Sequence, residues 1–312
     1  MSDRPVKIGA LLWPQTSSWP AFRDAAVRAD GLGYDSLWTW DHLMAIVGPW
    51  EQPILEGWSA LAAIGPLTSH ATLGLMVGAN TFRNPGLTAK LATTLDHVSG
   101  GRAVLGIGGA WFEREHEAFG FDETWGSGFG ERLDRLDEAV MLLRRLLDGE
   151  RFSHEGRFYT FRDALCEPRP IQAHLPILIG GSGPKKTLRT TARYADGWNA
   201  GGTLEELRAK DATLRERCAE IGRNPDEIER TFTVWMAIRD DAVEAQHVLD
   251  RDAAANGSSS DGGDYVGSPE KIADELRPIV DLGFRHILID AMAPYDAETI
   301  ERLPRVRELL AG

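Results

Sequence analysis

Residues 71–107 hold the pattern that decides the fold. Ala71-Thr72-Leu73-Gly74-Leu75-Met76-Val77 is a short apolar run of strand length. Asn84-Pro85 then opens a helix over 85–98, with Asn as cap and Pro at the first helical position. Gly100-Gly101 closes it, and Ala103-Val104-Leu105-Gly106-Ile107 is the next apolar run. Strand, helix and strand in this order form a βαβ unit, whose strands lie parallel.

The same rhythm extends both ways. Upstream, 6–12 and 36–40 read as strands, followed by helices over 19–32 and 57–67. In the first of these helices Phe22, Ala25, Ala26 and Ala29 recur at helical spacing, and Gly33 is the stop. Downstream, the helix of the fourth unit, 131–147, follows an irregular stretch. Residues 150–166 break the rhythm and read as a small inserted hairpin. Strands over 177–179, 197–199, 232–238 and 286–290 follow, with helices over 184–194, 204–221, 241–254 and 297–310. Ser268-Pro269 starts a further helix, and the Gly-, Ser- and Asp-rich segment 256–264 is a candidate lid. Eight strand–helix units predict a (β/α)₈ TIM barrel of the α/β class, one domain over 1–312 with a hairpin insertion. A doubly wound sheet is the alternative.

A net charge of −13 argues against nucleic acid or an anionic membrane as partner. The two cysteines, Cys166 and Cys218, form no CxxC motif and no disulfide framework, which points to a reducing cytoplasm. The N-terminus carries no leader pattern, and the chain shows no apolar run near membrane-spanning length.

Barrel enzymes work where strands end and loops begin. After strand two stands Asp41-His42, an acid beside an imidazole, able to bind a heterocycle and handle a proton. A solvated carboxylate and a satisfied histidine are the plainer reading of such a pair. Met76, Val77 and Gly78 end strand three, where small residues let the backbone approach a flat ligand, and Asn80 adds a short polar group. Gly109 and Ala110 follow strand four, in a glycine-rich stretch that is not GxGxxG. After strand five, Gly180-Gly181-Ser182-Gly183 opens a helix and offers N–H groups to a phosphate. It is not a Walker A loop, because Pro184 precedes Lys185. Glu113-Arg114-Glu115-His116-Glu117 lacks HExxH spacing and reads as a solvated charged face, with no metal. Trp13, Trp38, Trp40 and Trp111, near strand ends, are candidate aromatic walls.

The run 35–42, Asp-Ser-Leu-Trp-Thr-Trp-Asp-His, resembles the second-strand signature of the luciferase-like, coenzyme F420-dependent oxidoreductases. Residues 81–85, 90–96, 99–102 and 106–112 resemble that family's next two units, and 176–181 and 192–198 its fifth and sixth. The resemblance implies an oxidoreductase passing hydride between F420 and a small organic substrate, working as a homodimer. Asp41 would hydrogen-bond the deazaflavin ring, and His42 would sit at the reacting carbon as proton carrier. A non-prolyl cis peptide, placed by register at Met76–Val77, would back the ring. Gly109 and Ala110 would line its edge, and Gly180, Gly181, Ser182 and Gly183 would hold the phosphate. One departure stands out. Where the sugar-phosphate dehydrogenases of this family have an acidic residue after strand four, this chain has Trp111. A second acid would come from elsewhere, with Glu113 and Glu56 as guesses. An FMN-dependent luciferase-like monooxygenase is the rival within the family, and a non-catalytic flavin-binding barrel the rival outside enzymes.

Overall fold

The apolar runs become strands buried on both faces, as parallel sheets require. The computed structural model describes residues 4–259 and 265–312. Eight parallel strands form the ring: β1 (Lys7–Leu12), β2 (Ser36–Thr39), β3 (Thr72–Leu75), β4 (Ala103–Gly108), β5 (Ile177–Gly180), β6 (Gly197–Ala200), β7 (Glu229–Val234) and β8 (His286–Ala291). Each pairs with its neighbour in chain order. β1 pairs with β8, from Lys7↔His286 to Leu12↔Ala291, and closes the barrel.

Helix starts follow capping chemistry. Ser18, Asn84, Thr203, Asp241, Ser268 and Asp296 each accept a backbone N–H of the helix they precede. The helix Phe129–Leu147 buries Leu133, Leu136, Ala139, Val140, Leu142, Leu143, Leu146 and Leu147 as one apolar stripe. The inserted hairpin is antiparallel, Phe152–Glu155 against Thr160–Ala164. Glu138 of the long helix holds it by accepting the N–H groups of Phe158 and Tyr159 at 3.1 Å each.

The third strand is interrupted. It pairs with β4 at Leu73↔Ala103 and Gly74↔Val104, breaks at the cis peptide Met76–Val77, then rejoins as Gly78↔Ile107 and Ala79↔Gly108. Gly106 permits this bulge, because a Cβ there would lie 1.8 Å from the Leu75 carbonyl oxygen.

The cis bond Met76–Val77 is the one that the sequence register picked out. Three places differ from the sequence reading. The stretch before the fourth helix contains two short helices, Glu113–Phe119 and Asp122–Trp125; their charged sequences show no apolar stripe. The helix expected from 184 begins at Thr187, since Leu188 N–H donates to Gly183 and the turn is wider than an α-helical one. The seventh strand divides, and its outer part Met236–Ile238 pairs with Tyr265–Gly267 outside the ring. Of the candidate lid, residues 260–264 lie outside the described residues. No described helix is long and apolar enough to cross a membrane.

Candidate functional site

A cavity of about 350 Å³ opens at the C-terminal ends of the strands, where barrel chemistry sits. A second cavity of about 430 Å³ lies at the other end of the barrel, among Lys7, Thr72, Gly197, Thr231 and His286 at the strand beginnings. Position favours the first.

One wall of the first cavity is backbone. Met76, Val77 and Gly78 of the bulge, Gly108-Gly109-Ala110 after β4, and Gly180 to Gly183 after β5 converge on it. Ala110 adopts φ 59°, a left-handed turn that carries the chain round the cavity edge. Val77 packs under Gly108 and Gly180, where added Cβ atoms would come within 2.8 Å of its methyl groups. The Gly180–Gly183 turn ends at the helix Thr187–Tyr194, whose first residue lines the cavity and whose cap makes no side-chain hydrogen bond. An uncapped N-terminus presents amide donors and the positive dipole end to an anion.

The rest of the lining carries larger side chains, among them Trp40, His42, Ile46, Trp111, Phe129 and Glu115. His42 Nδ1 lies 2.8 Å from Glu115 Oε1, and Glu115 Oε2 accepts the Leu43 N–H at 3.0 Å. The His42 ring meets Trp40, Trp111 and Phe112 edge-on, at centroid distances of 6.1, 5.7 and 6.2 Å. Trp40 packs against Trp13, the ring centroids 4.4 Å apart and the planes tilted by 43°. Behind them both indole N–H groups of Trp13 and Trp235 donate to Asp290.

Desolvation pushes the Asp290 carboxyl up to about 6 from 3.8, against the pull of those two donors. An acid whose folded pKa is raised binds its proton more tightly folded than unfolded. Its stabilising contribution is therefore whole below about pH 4 and is lost as pH rises to about 6. Wild-type stability minus that of Asp290→Asn is expected to fall between those limits and then level off. Urea denaturation at stepped pH reads the difference, and a flat difference contradicts the assignment.

The sequence-predicted residues divide into groups. Asp41, His42, Met76, Val77, Gly78, Gly109, Ala110, Gly180, Gly181, Ser182 and Gly183 all border the one cavity. Asn80 does not: it is buried and points its amide at the Tyr159 hydroxyl, 3.2 Å away, because the chain turns it toward the hairpin. Asp41 is no free acid. Arg83 donates to both its oxygens at 2.6 and 2.8 Å, and the Ala79 N–H donates to Oδ2 at 2.8 Å. Its carboxylate is thereby committed to holding the bulge. Neither guess for a second acid borders the cavity. Glu56 caps the helix Gly57–Ile64, and Glu113 accepts the Trp125 indole N–H.

The charged run 113–117 is a solvated face only at Glu113, Arg114 and Glu117. Glu115 and His116 are each only 1% exposed. His116 lies between the Thr81 hydroxyl and the Phe112 carbonyl oxygen, and burial lowers its pKa. Trp13 and Trp38 are core residues, so only Trp40 and Trp111 of the four serve as walls. Arg83 and Glu115 went unassigned in the sequence. Their only signal was a spacing shared with other charged loops. Among the described residues no group of three or more His, Cys, Asp or Glu could hold a metal ion.

Comparison with known proteins adds to this geometry. The family described as luciferase-like monooxygenase matches residues 6–286. An F420-dependent glucose-6-phosphate dehydrogenase of Intrasporangium calvum is 31% identical, covering 92% of this chain and 94% of that relative. Among solved structures, an F420-dependent secondary alcohol dehydrogenase, in complex with an F420-acetone adduct, superposes with TM-score 0.84 at 18% identity, over 97% of this chain and 99% of that one. The coenzyme F420-dependent tetrahydromethanopterin reductase of Methanopyrus kandleri gives 0.80 at 20% identity, over 96% and 97%. At such identities the structures speak for the fold alone.

Proposed function

The chain belongs to the luciferase-like monooxygenase family, and from that premise we propose that it is a coenzyme F420-dependent oxidoreductase acting on an uncharged small organic substrate. The cofactor follows the sequence relative, which is F420-dependent by name. One observation carries the reading: the bulge Met76–Gly78, the turns Gly108–Ala110 and Gly180–Gly183, the start of a helix with no side-chain cap, and the His42 imidazole all line one cavity.

The residues fit such a group. The bulge at Met76–Gly78 together with Gly108, Gly109 and Gly180 leaves room for a flat ring, and Gly109 and Ala110 would border its edge. The turn Gly180–Gly183 suits the phosphate of its side chain. When bound, a deazaflavin supplies hydride transfer. The protein's part is to hold the ring, to shield the site and to move the accompanying proton. Asp41 and Arg83 fix the bulge, and Trp40, Trp111 and Phe129 keep water from the ring face. His42 faces the same space and takes or gives the proton.

Substrate class follows from what lines the cavity. A sugar phosphate, the substrate in the name of the relative above, calls for Lys or Arg at the substrate end. Among the described residues lining the cavity there is neither, and Trp40, Ile46, Trp111 and Phe129 form an apolar mouth. An alcohol or carbonyl compound with an apolar body matches these walls. A homodimer and a cytoplasmic location complete the reading. They rest on the resemblance and on the two buried free cysteines.

The test is a paired titration with F420 and FMN, read by quenching of tryptophan fluorescence, since Trp40 and Trp111 border the cavity. Tight F420 binding with weak FMN binding is expected. The reverse would transfer the protein to the oxygen-using monooxygenases, and binding of neither would refute the cofactor reading.

A further inference from the structure

Glu115 reaches His42 from the helix Glu113–Phe119, and the two residues are far apart in the chain. The carboxylate is 1% exposed and the imidazole 14%, so the contact is shielded from water on the protein side. Both Glu115 oxygens are engaged, Oε2 by the Leu43 N–H at 3.0 Å and Oε1 by His42 Nδ1 at 2.8 Å. Three aromatic rings, Trp40, Trp111 and Phe112, confine the imidazole edge-on and restrict its rotation.

We propose that Glu115 is the positioning residue for His42: its carboxylate fixes the imidazole as the Nδ1–H tautomer and aims Nε2 at the reacting centre. An anion that already accepts the Leu43 N–H offers only lone pairs to its second partner, so Nδ1 carries the hydrogen. The neutral ring then has a free lone pair at Nε2. In the oxidising direction Nε2 takes the proton of a substrate hydroxyl while the carbon bearing that hydroxyl gives up hydride, for which a bound deazaflavin would be the acceptor and, in reverse, the donor. In the reducing direction the imidazolium returns a proton to the carbonyl oxygen. In either case Glu115 keeps its charge and stabilises the imidazolium without itself accepting the proton. Its neighbours fit this role. His116 is occupied by Thr81 and the Phe112 carbonyl, and Asp41 by Arg83, so neither competes for His42. An acid–imidazole pair of this kind supplies orientation, and its loss costs turnover through the wrong tautomer.

The inference rests on His42 as the proton carrier, but its first test needs no turnover. ¹⁵N spectra of the full chain with labelled histidines, with and without F420, report which nitrogen of His42 is protonated; His42→Gln assigns the signals. The wild-type is expected to show Nδ1–H with a bare Nε2. Glu115→Ala is expected to lose that preference. If the alanine variant does not fold, Glu115→Met fills the same volume and carries the comparison. Turnover is expected to drop about 100-fold or more in the folded variant, with F420 affinity unchanged and Glu115→Asp recovering part. A wild-type His42 protonated at Nε2, or a variant that keeps the Nδ1–H tautomer, overturns the proposal. A positive tautomer result with unchanged turnover in His42→Ala would instead count against His42 as the proton carrier.

Discussion

Replacing His42 with alanine is expected to lower turnover by about 10²- to 10⁴-fold while F420 still binds. The separation follows from the two parts of the cavity lining. The surface suited to the cofactor is backbone, from Met76–Gly78, Gly108–Ala110 and Gly180–Gly183, and none of it depends on the imidazole. His42 belongs to the side-chain part of the lining, 14% exposed, with one hydrogen bond to Glu115 and edge contacts to aromatic rings. The neutral Nδ1–H imidazole gives Glu115 one hydrogen bond and no counter-charge, and the Leu43 N–H remains, so the stability cost of its removal is smaller than that of breaking an ion pair. A thermal melt near the wild-type value with a collapsed rate is therefore the expected pair of results. Unimpaired turnover of an uncharged alcohol or ketone would remove His42 from the mechanism. Loss of F420 binding would move it to the cofactor site.

The barrel was legible in the sequence because most of its strands contain apolar runs and most of its helices announce themselves by caps; β7, Glu-Arg-Thr-Phe-Thr-Val, begins three residues before the run at Phe232. Ser268-Pro269 and Asn84-Pro85 open helices where the residues say they should. The glycine turn after β5 was legible for a similar reason, since only glycine tolerates Gly181 at φ 106° without strain. Less legible was which polar residues turn inward. Asn80 follows residues that border the cavity, yet it points at Tyr159. Glu115 sits in a run of charges that looks solvated, yet both it and His116 are buried. Hydrophobic periodicity reports apolar faces; a short helix that buries charged groups against each other leaves no such trace. Arg83 was hidden for the same reason, because its partner Asp41 is 42 positions away.

Arg83→Met is expected to destabilise the protein by about 3–5 kcal/mol, the usual consequence of leaving one member of a buried ion pair alone. The Asp41 side chain is 1% exposed, and Arg83 donates to both its oxygens. Methionine can replace the stem but none of the donors, so a carboxylate remains in an apolar corner with only the Ala79 N–H. That N–H belongs to the segment that rejoins the sheet after the Met76–Val77 bond. When the carboxylate moves toward water, the bulge moves with it, and F420 affinity falls along with stability. A fork of two parallel bonds is what Arg supplies and Lys does not, so Arg83→Lys is expected to recover only part of the loss. The double variant Arg83→Met, Asp41→Asn separates charge from packing. With the charge removed, the remaining amide costs less to bury, and urea denaturation should find the double variant more stable than Arg83→Met alone. If the two denature together, the effect of Arg83 lies in its other contacts, the Phe82 ring 6.0 Å away and Glu56 Oε1 at 3.4 Å, and the charge argument for the bulge fails.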